Sequence, residues 1–471
     1  MKITIHNLGP IKDCVIEPSN FTVLMGEQAS GKSTIAKCVY FFSTIKDDIC
    51  DAYLKKEILG PKELKEILIN KFVRLFGLII SINPCMDLKC VFSYGISIHI
   101  SLSSSIETNN KQEIEREDLK VKNQKNKNLV VSLNRNDLLK NTINIKPLID
   151  DTNIKSFIDY VLKTYKPTLK ISLSNKIIQK LKQLDSIKNK VILQKQLDDF
   201  FHNDYKTIFI PAGRSLAAQL SKQLNYLYAS MGDELKNSLD YTTQKFIETI
   251  LYCRISLQNG IEGLQSLSSS QWKDDIANLL KGHYVCTADG EERLYLSKDT
   301  NSNNFVSFHL ASSGQQEVAW ILNIVAYYLD AYKRTGIKTM FIIEEPETHL
   351  YPAAQKKLME LLAFVANHSQ GMFITTHSPY VLGSLNNLLY AGSRPAKFKK
   401  KIAEIIPEAY QLKHIDAFYL KDGGIEAAID DETKPLIQNG LIDDASHELN
   451  DEFDGMINIQ FKSEEDHALS K

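Results

Sequence analysis

Apolar residues along this chain follow two patterns. Short apolar runs bounded by turn residues, at Ile3–Ile5, Phe21–Met25, Leu129–Leu133, Ile208–Ile210, Thr339–Ile343 and Phe373–Thr375, predict strands. Val91–Leu102 instead alternates through Ile96, Ile98 and Ile100, the period of a half-buried strand. Helical spacing fills most of 34–80, 154–200, 215–281, 315–333, 353–368 and 378–389. Tyr284–Thr287 and Arg293–Leu296, joined across Asp289-Gly290, predict a hairpin, and the polar stretch 108–128 an exposed loop. Strands alternating with helices on either side of a lysine-rich helical middle predict an α/β core interrupted by an insertion.

Composition narrows the function classes. The chain has 471 residues, 43% of them hydrophobic, with 56 Lys+Arg against 57 Asp+Glu. That excludes a polycation and global disorder. The longest apolar runs, such as Leu75–Ile80, fall well short of the ~20 residues of a spanning helix. Met1–His6 has no leader-like apolar region, and the seven cysteines form no CxxC and no zinc spacing. A reduced, cytoplasmic protein without membrane contact is expected. Charge is uneven, however. Ten lysines lie between Lys155 and Lys195 against two acids, a second basic cluster spans Arg394–Lys401, and fourteen acids follow between Asp422 and Asp466. These blocks are either solvated faces or charge-guided contacts with a partner or another subunit. Ala445, Leu449 and Phe453 share helical spacing, for a helix that docks a partner or packs on its own core.

Four motifs carry chemistry. Gly26-Glu27-Gln28-Ala29-Ser30-Gly31-Lys32-Ser33-Thr34 follows an apolar strand and opens a helix, the context a phosphate-binding loop requires. Its N–H groups would face phosphate oxygens, Lys32 would neutralise β/γ charge, and Ser33 would bind Mg²⁺. Thr339–Glu347 delivers Glu344 and Glu345 to the end of a buried strand, either a catalytic pair or a surface acidic turn. Ser312-Ser313-Gly314-Gln315 opens a long apolar helix, either a second phosphate grip or an ordinary N-cap. His377, in Thr375-Thr376-His377-Ser378-Pro379, lies 32 residues after Glu345, placed to hold γ-phosphate or water, or to serve structure alone. Arg214, at the end of the Ile208–Ile210 strand, is a phosphate contact, a relay of closure into the insertion, or a salt-bridged arginine.

In this order and spacing the motifs resemble the ABC-type ATPase head. Glu344-Glu345-Pro346-Glu347-Thr348-His349-Leu350-Tyr351-Pro352, Thr375–Pro379, the opening Ile5–Ile11 and Ile208–Ser215 resemble the RecF/OLD group of AAA-type ATPases. Ala311, Ser313 and Glu344 depart from the usual Leu, Gly and Asp. The resemblance implies an α/β fold, a P-loop mixed sheet flanked by helices with a large insertion between Walker A and signature. The expected units are an N-terminal lobe at 1–50, an insertion at 51–204, a Q-loop-like strand with arm and hairpin at 205–310, a C-terminal lobe at 311–420 and an acidic segment at 421–471. It further implies two heads closing on two Mg-ATP. Gly26, Ala29, Ser30, Gly31, Lys32, Ser33, Thr34 and Arg214 of one copy and Ser312, Gly314 and Gln315 of the other would hold each nucleotide. Ser33 and Glu344 would hold the metal, and Glu345 with His377 would act in hydrolysis.

What the ATPase drives is a further expectation. Gly31 to Ser313 spans about 280 residues without heptads or a CxxC hook, too little for SMC-type arms. No Asp-x-Asp follows an apolar run after His377, so a Toprim nuclease is not expected. Stand-alone ATPases of this group resemble those of the Septu and PARIS anti-phage systems. That implies a sensor or regulatory subunit, a homodimer or higher oligomer, acting through a separate effector nuclease. The alternatives are a RecF-like clamp binding nucleic acid through Lys155–Lys195 and a scaffold that binds nucleotide without turnover. Lys32, Ser33, Glu345 and His377 argue against the scaffold.

Overall fold

The computed structural model describes residues 1–55, 60–77, 83, 85–105, 166–184, 187, 189–215, 217, 228–232, 236, 239–267, 270–287, 290–299, 303–429, 436–438 and 451–452. The expected strand at Leu129–Leu133, the loop at 108–128 and the helix through Ala445, Leu449 and Phe453 lie outside them.

Strands β1 (Lys2–Leu8), β2 (Ile11–Ile16) and β3 (Phe21–Gly26) open the chain. Helices α1 (Lys32–Ser43), α2 (Ile45–Leu54) and α3 (Pro61–Phe76) follow. Next come β4 (Asp87–Val91), β5 (Ser97–Ser105), β6 (Lys166–Leu173), α4 (Asn175–Leu184), α5 (Lys190–Phe201) and β7 (Tyr205–Ile210). After these come α6 (Tyr241–Arg254), α7 (Ser270–Leu280), β8 (His283–Cys286), β9 (Glu292–Tyr295) and β10 (Phe305–Ser307). The rest is α8 (Ser313–Thr335), β11 (Lys338–Glu344), α9 (Pro352–Ala366), β12 (Gly371–Thr376), α10 (Pro379–Gly392), β13 (Asp416–Lys421) and β14 (Gly424–Ala427).

These strands form an antiparallel sheet ordered β2-β1-β4-β5-β6, a small sheet β10-β9-β8 containing the expected hairpin, and a mixed sheet β14-β13-β3-β12-β11-β7. In the mixed sheet all neighbours but β14 are parallel. Both faces of β3 and β12, and of the carboxyl halves of β7 and β11, are buried, which is why they read as continuous apolar runs. Successive side chains point to opposite faces. Val23, Ile210, Ile343 and Ile374 pack with α6 to α10 on one side. Leu24, Phe209, Ile342 and Phe373 pack with α1 to α3 and the antiparallel sheet on the other. The fold is α/β, a mixed sheet between two helical layers.

Two expectations need correction. Residues 154–200 are not uniformly helical: β6 crosses them, with Leu169, Ile171 and Leu173 alternating along it. Nor is 51–204 a module apart from 1–50. β4 pairs residue for residue with β1, Ile3 opposite Cys90, so β4 to β6 extend the sheet begun by β1 and β2. An edge strand left by β1 would expose unpaired backbone groups, and β4 covers it. Among the described residues no helix is long and apolar enough to cross a membrane.

Candidate functional site

Parallel register gathers the candidate chemistry on one edge. Met25 lies opposite Thr376, Glu344 opposite Thr375, and Ile343 opposite Ile210. The residues that continue each strand, Gly26, His377, Glu345 and Pro211, therefore emerge side by side at the carboxyl ends, where open α/β sheets bind ligands.

The phosphate loop is built on backbone that few residues tolerate. Gly26, Ala29 and Gly31 have φ of 149, 61 and 109°. A Cβ on Gly31 would come 2.4 Å from Ile11 Cδ1 and 3.0 Å from Pro10 Cγ, so the β1–β2 turn packs against the loop with room for glycine alone. No side chain caps α1. Its first N–H groups remain for an anion, favoured there by the helix dipole. Lys32 is buried, and its Nζ donates to the carbonyls of Gly26 (2.7 Å) and Glu27 (2.6 Å), which hold the ammonium over the loop. Burial lowers its pKa while Glu345, Glu347 and Glu27 raise it, so those carboxylates face Lys32. Ser30 Oγ is buried without a hydrogen-bond partner, as a cradle awaiting an oxyanion requires. Ser33 is exposed beside Glu344 and Thr34 half-buried.

Glu344 and Glu345 behave differently. Glu344 is buried; Ala212 N–H donates to its Oε2 at 3.3 Å, while its Oε1 has no partner. Burial pushes its carboxyl up, opposed by the Ser33 hydroxyl and the Ala212 N–H. An orphaned buried carboxylate oxygen facing a hydroxyl at the phosphate loop fits a hard, oxygen-preferring cation such as Mg²⁺. Glu345 is partly exposed at φ 42°, its N–H donating to Thr375 O at 2.9 Å. This left-handed turn aims its carboxylate at the same edge. His377 Nδ1 lies 3.8 Å from Glu345 Oε1 and 3.7 Å from Glu347 Oε1.

Glu347, to which the sequence motifs assign no role, is buried and organises that turn. Its Oε1 accepts from Thr376 Oγ1 (2.6 Å) and from His377 N–H (3.0 Å). The signal was present: a third carboxylate three residues after Glu344, beyond a proline that bends the chain back.

Ser312, Gly314 and Gln315 lie at the start of α8. Ser312 caps α8, its N–H donating to Gln315 Oε1 at 3.1 Å and its Oγ accepting from Gln315 N–H at 3.4 Å. Gln315 Nε2 also donates to Leu280 O at 2.8 Å. Ser312 and Gln315 bond each other and the end of α7, not the phosphate loop. Ser312 and Ser313 are exposed. Gly314 packs so closely that a Cβ would come 2.7 Å from His349 O.

Arg214 corrects an expectation. It is fully buried, and its donors go to protein: Nη1 to Pro211 O (2.8 Å) and Glu344 O (2.6 Å), Nη2 to Glu345 O (2.9 Å). Nε pairs with Glu317 Oε2 at 2.9 Å. A guanidinium so engaged has no fork left for a phosphate.

Among solved structures, the SMC head bound to the C-winged helix domain of ScpA is similar at 11% identity, with a TM-score of 0.37 over 90% of this chain and 95% of that chain. The SMC head domain from Thermotoga maritima is similar at 10% identity, TM-score 0.32, over 90% and 97%. An Smc head domain with an extended coiled coil bound to the C-terminal domain of ScpA, derived from Pyrococcus furiosus, follows at 12%, TM-score 0.31, over 90% and 94%. No curated protein matches the chain. The AAA ATPase domain family (AAA_15) matches residues 1–382, a span containing every candidate residue from Gly26 to His377, and the chain belongs to that family of ATPases.

Proposed function

We propose that this ATPase hydrolyses Mg-ATP between two copies of itself, each nucleotide held by Gly26–Thr34 of one copy and by Ser312, Gly314 and Gln315 of the other. The observation that carries this is a divided grip. Lys32, Glu345 and His377 converge on one edge, while the capped start of α8 is exposed and bonded away from its own phosphate loop. A triphosphate needs donors on both flanks, and a second copy supplies the missing flank.

Within this reading Ser33 and Glu344 hold Mg²⁺, which supplies charge neutralisation to the phosphates. Lys32 and the N–H groups of α1 bind and orient the triphosphate. Glu345 Oε1 accepts the proton of the attacking water, and His377, fixed through its N–H by Glu347, holds the γ-phosphate side. Phosphoryl transfer depends chiefly on such positioning and electrostatics. The test is complementation between defective copies. Lys32→Ala lacks the loop grip and Gln315→Ala the second grip, so each alone turns over poorly. Mixed, they rebuild one composite site per pair and regain part of the parent's turnover; a mixture no better than its components contradicts sharing.

The output we propose is regulation of a separate effector nuclease in bacterial anti-phage defence, because Glu344–Pro352 and Thr375–Pro379 resemble the RecF/OLD group, whose stand-alone ATPases resemble those of the Septu and PARIS systems. Effector activity should differ between Glu345→Gln, held ATP-bound, and Lys32→Ala, held empty; equal activity contradicts it. A RecF-like clamp is the second reading, favoured by α4, which buries Ile177, Leu181 and Leu184 and exposes Lys176 and Lys182. Polynucleotide binding that weakens steeply with salt would select it.

A further inference from the structure

We infer that Arg214 and Glu317 are positioning residues that tie the grip a copy offers to its partner's nucleotide to the candidate base of that same copy. Three segments meet at this pair. Arg214, just beyond β7, holds the carbonyls of Glu344 and Glu345 through Nη1 and Nη2. Its Nε pairs with Glu317, buried on α8 just beyond the Ser312–Gln315 cap. Glu317 Oε1 in turn lies 3.8 Å from His349 Nδ1, and Gly314 sits directly against His349 O. Residues 211–214, 344–349 and 312–317 are thereby joined at one buried ion pair.

Burial lowers the Arg214 pKa, and Glu317, Glu347 and Glu344 raise it. Separating this guanidinium from Glu317 would leave an uncompensated charge in the interior, so the segments move together or not at all. Glu345 is the most responsive element on this lever. Its φ of 42° is one that surrounding contacts must impose, and Arg214 supplies one of them. When Ser312–Gln315 engages the nucleotide on a partner copy, a shift at the start of α8 reaches the Glu344–Glu345 backbone through Glu317 and Arg214. Occupancy of one site then sets the competence of the other, and turnover rises cooperatively with ATP. This rests on the two-copy reading above.

The test compares the parent with Glu317→Gln, which keeps shape and hydrogen bonding but removes charge, and with Arg214→Lys, which keeps charge but loses the fork. Four quantities are read: steady-state turnover against ATP, affinity for a fluorescent ATP analogue, melting midpoint, and solution mass with a non-hydrolysable analogue. In the parent, mass doubles with the analogue and the Hill coefficient exceeds 1. In Glu317→Gln, kcat falls ~10–100-fold, the magnitude of a misplaced catalytic group, and the Hill coefficient falls to 1. KM, analogue affinity and analogue-driven doubling stay within twofold of the parent. Arg214→Lys loses at least as much kcat. A Glu317→Gln protein with the parent's kcat and Hill coefficient overturns the inference while leaving the dimer reading intact. Parallel loss of affinity and melting midpoint overturns it in favour of a purely structural pair, as does a parent Hill coefficient of 1. A parent that never doubles in mass overturns both.

Discussion

Gly314→Ala probes how tightly the start of α8 is seated on the catalytic turn. Gly314 has an ordinary helical backbone, so alanine brings no strain of its own and gains about 1 kcal/mol of helix propensity. Against that, its Cβ would lie 2.7 Å from His349 O, where ordinary contact begins near 3.4 Å. One side must retreat by about 0.7 Å, the difference of those two distances. The obstacle is backbone, held by Thr348 N–H to Glu345 O at 3.2 Å and Leu350 N–H to Glu347 O at 3.0 Å, not the tip of a flexible side chain. Overpacking of this kind costs about 1–3 kcal/mol. The net loss of stability is therefore small, about 0–2 kcal/mol. Function should suffer more, because the displaced turn carries Glu345 and a shift approaching 1 Å at a catalytic group costs up to ~100-fold. Thermal unfolding and steady-state turnover measure the two effects separately. The expected variant melts within a few degrees of the parent, keeps the Lys32 grip on ATP and shows kcat lowered at least ~10-fold. Parental kcat would show that the turn does not move with α8, and the reasoning fails.

Three further outcomes follow from buried polar groups. Glu347→Gln weakens the acceptor of Thr376 Oγ1 and His377 N–H and removes a charge facing Lys32 and Arg214, so kcat should fall ~10-fold or more with the fold retained; unchanged kcat refutes a positioning role. Asn323 is fully buried in α8 with neither amide atom partnered, so Asn323→Leu should raise stability by about 1–2 kcal/mol, and a lower melting midpoint contradicts this. Burial pushes the Asp47 carboxyl up to about 6 against the opposing pull of Lys46. Its folded value lies above its unfolded one, so its contribution is fully present below about pH 4 and is lost as pH rises through 6. Asp47 keeps part of its surface open, so Asp47→Asn should stabilise by about 1–2 kcal/mol at pH 7 and by nothing near pH 4; a gain that is equal at both pH values refutes the assignment.

The central parallel strands β3, β11 and β12 were legible because each is apolar on both faces and ends in a motif: Phe21–Met25 before the phosphate loop, Thr339–Ile343 before Glu344, Phe373–Thr375 before His377. The antiparallel sheet was not. β6 carries only Leu169, Ile171 and Leu173 within a lysine-rich stretch, a pattern short enough to be absorbed into neighbouring helices. The pairing of β1 with β4 joins segments some 85 residues apart, and no local period encodes that. β13 went unread as well, since Ala417–Leu420 ends in no motif. At the site, phosphate loop, carboxylates and histidine were named because each has a recognisable chemistry at a strand end. Arg214 was misplaced for a physical reason. An arginine at a strand end reads as a ligand for phosphate until its partner is known, and Glu317 lies about 100 residues further on, a lone acid just before the apolar run Val318–Trp320.

Sharing of nucleotide between copies is the claim on which the rest depends, and the solution mass of Glu345→Gln with ATP and Mg²⁺ tests it most directly. With its candidate base removed but Lys32, Ser33 and Ser312–Gln315 intact, this variant should bind ATP, fail to release it and run at twice the mass of one chain, returning to a single copy when Lys32→Ala is added. A Glu345→Gln protein saturated with ATP that remains a single copy would contradict the account.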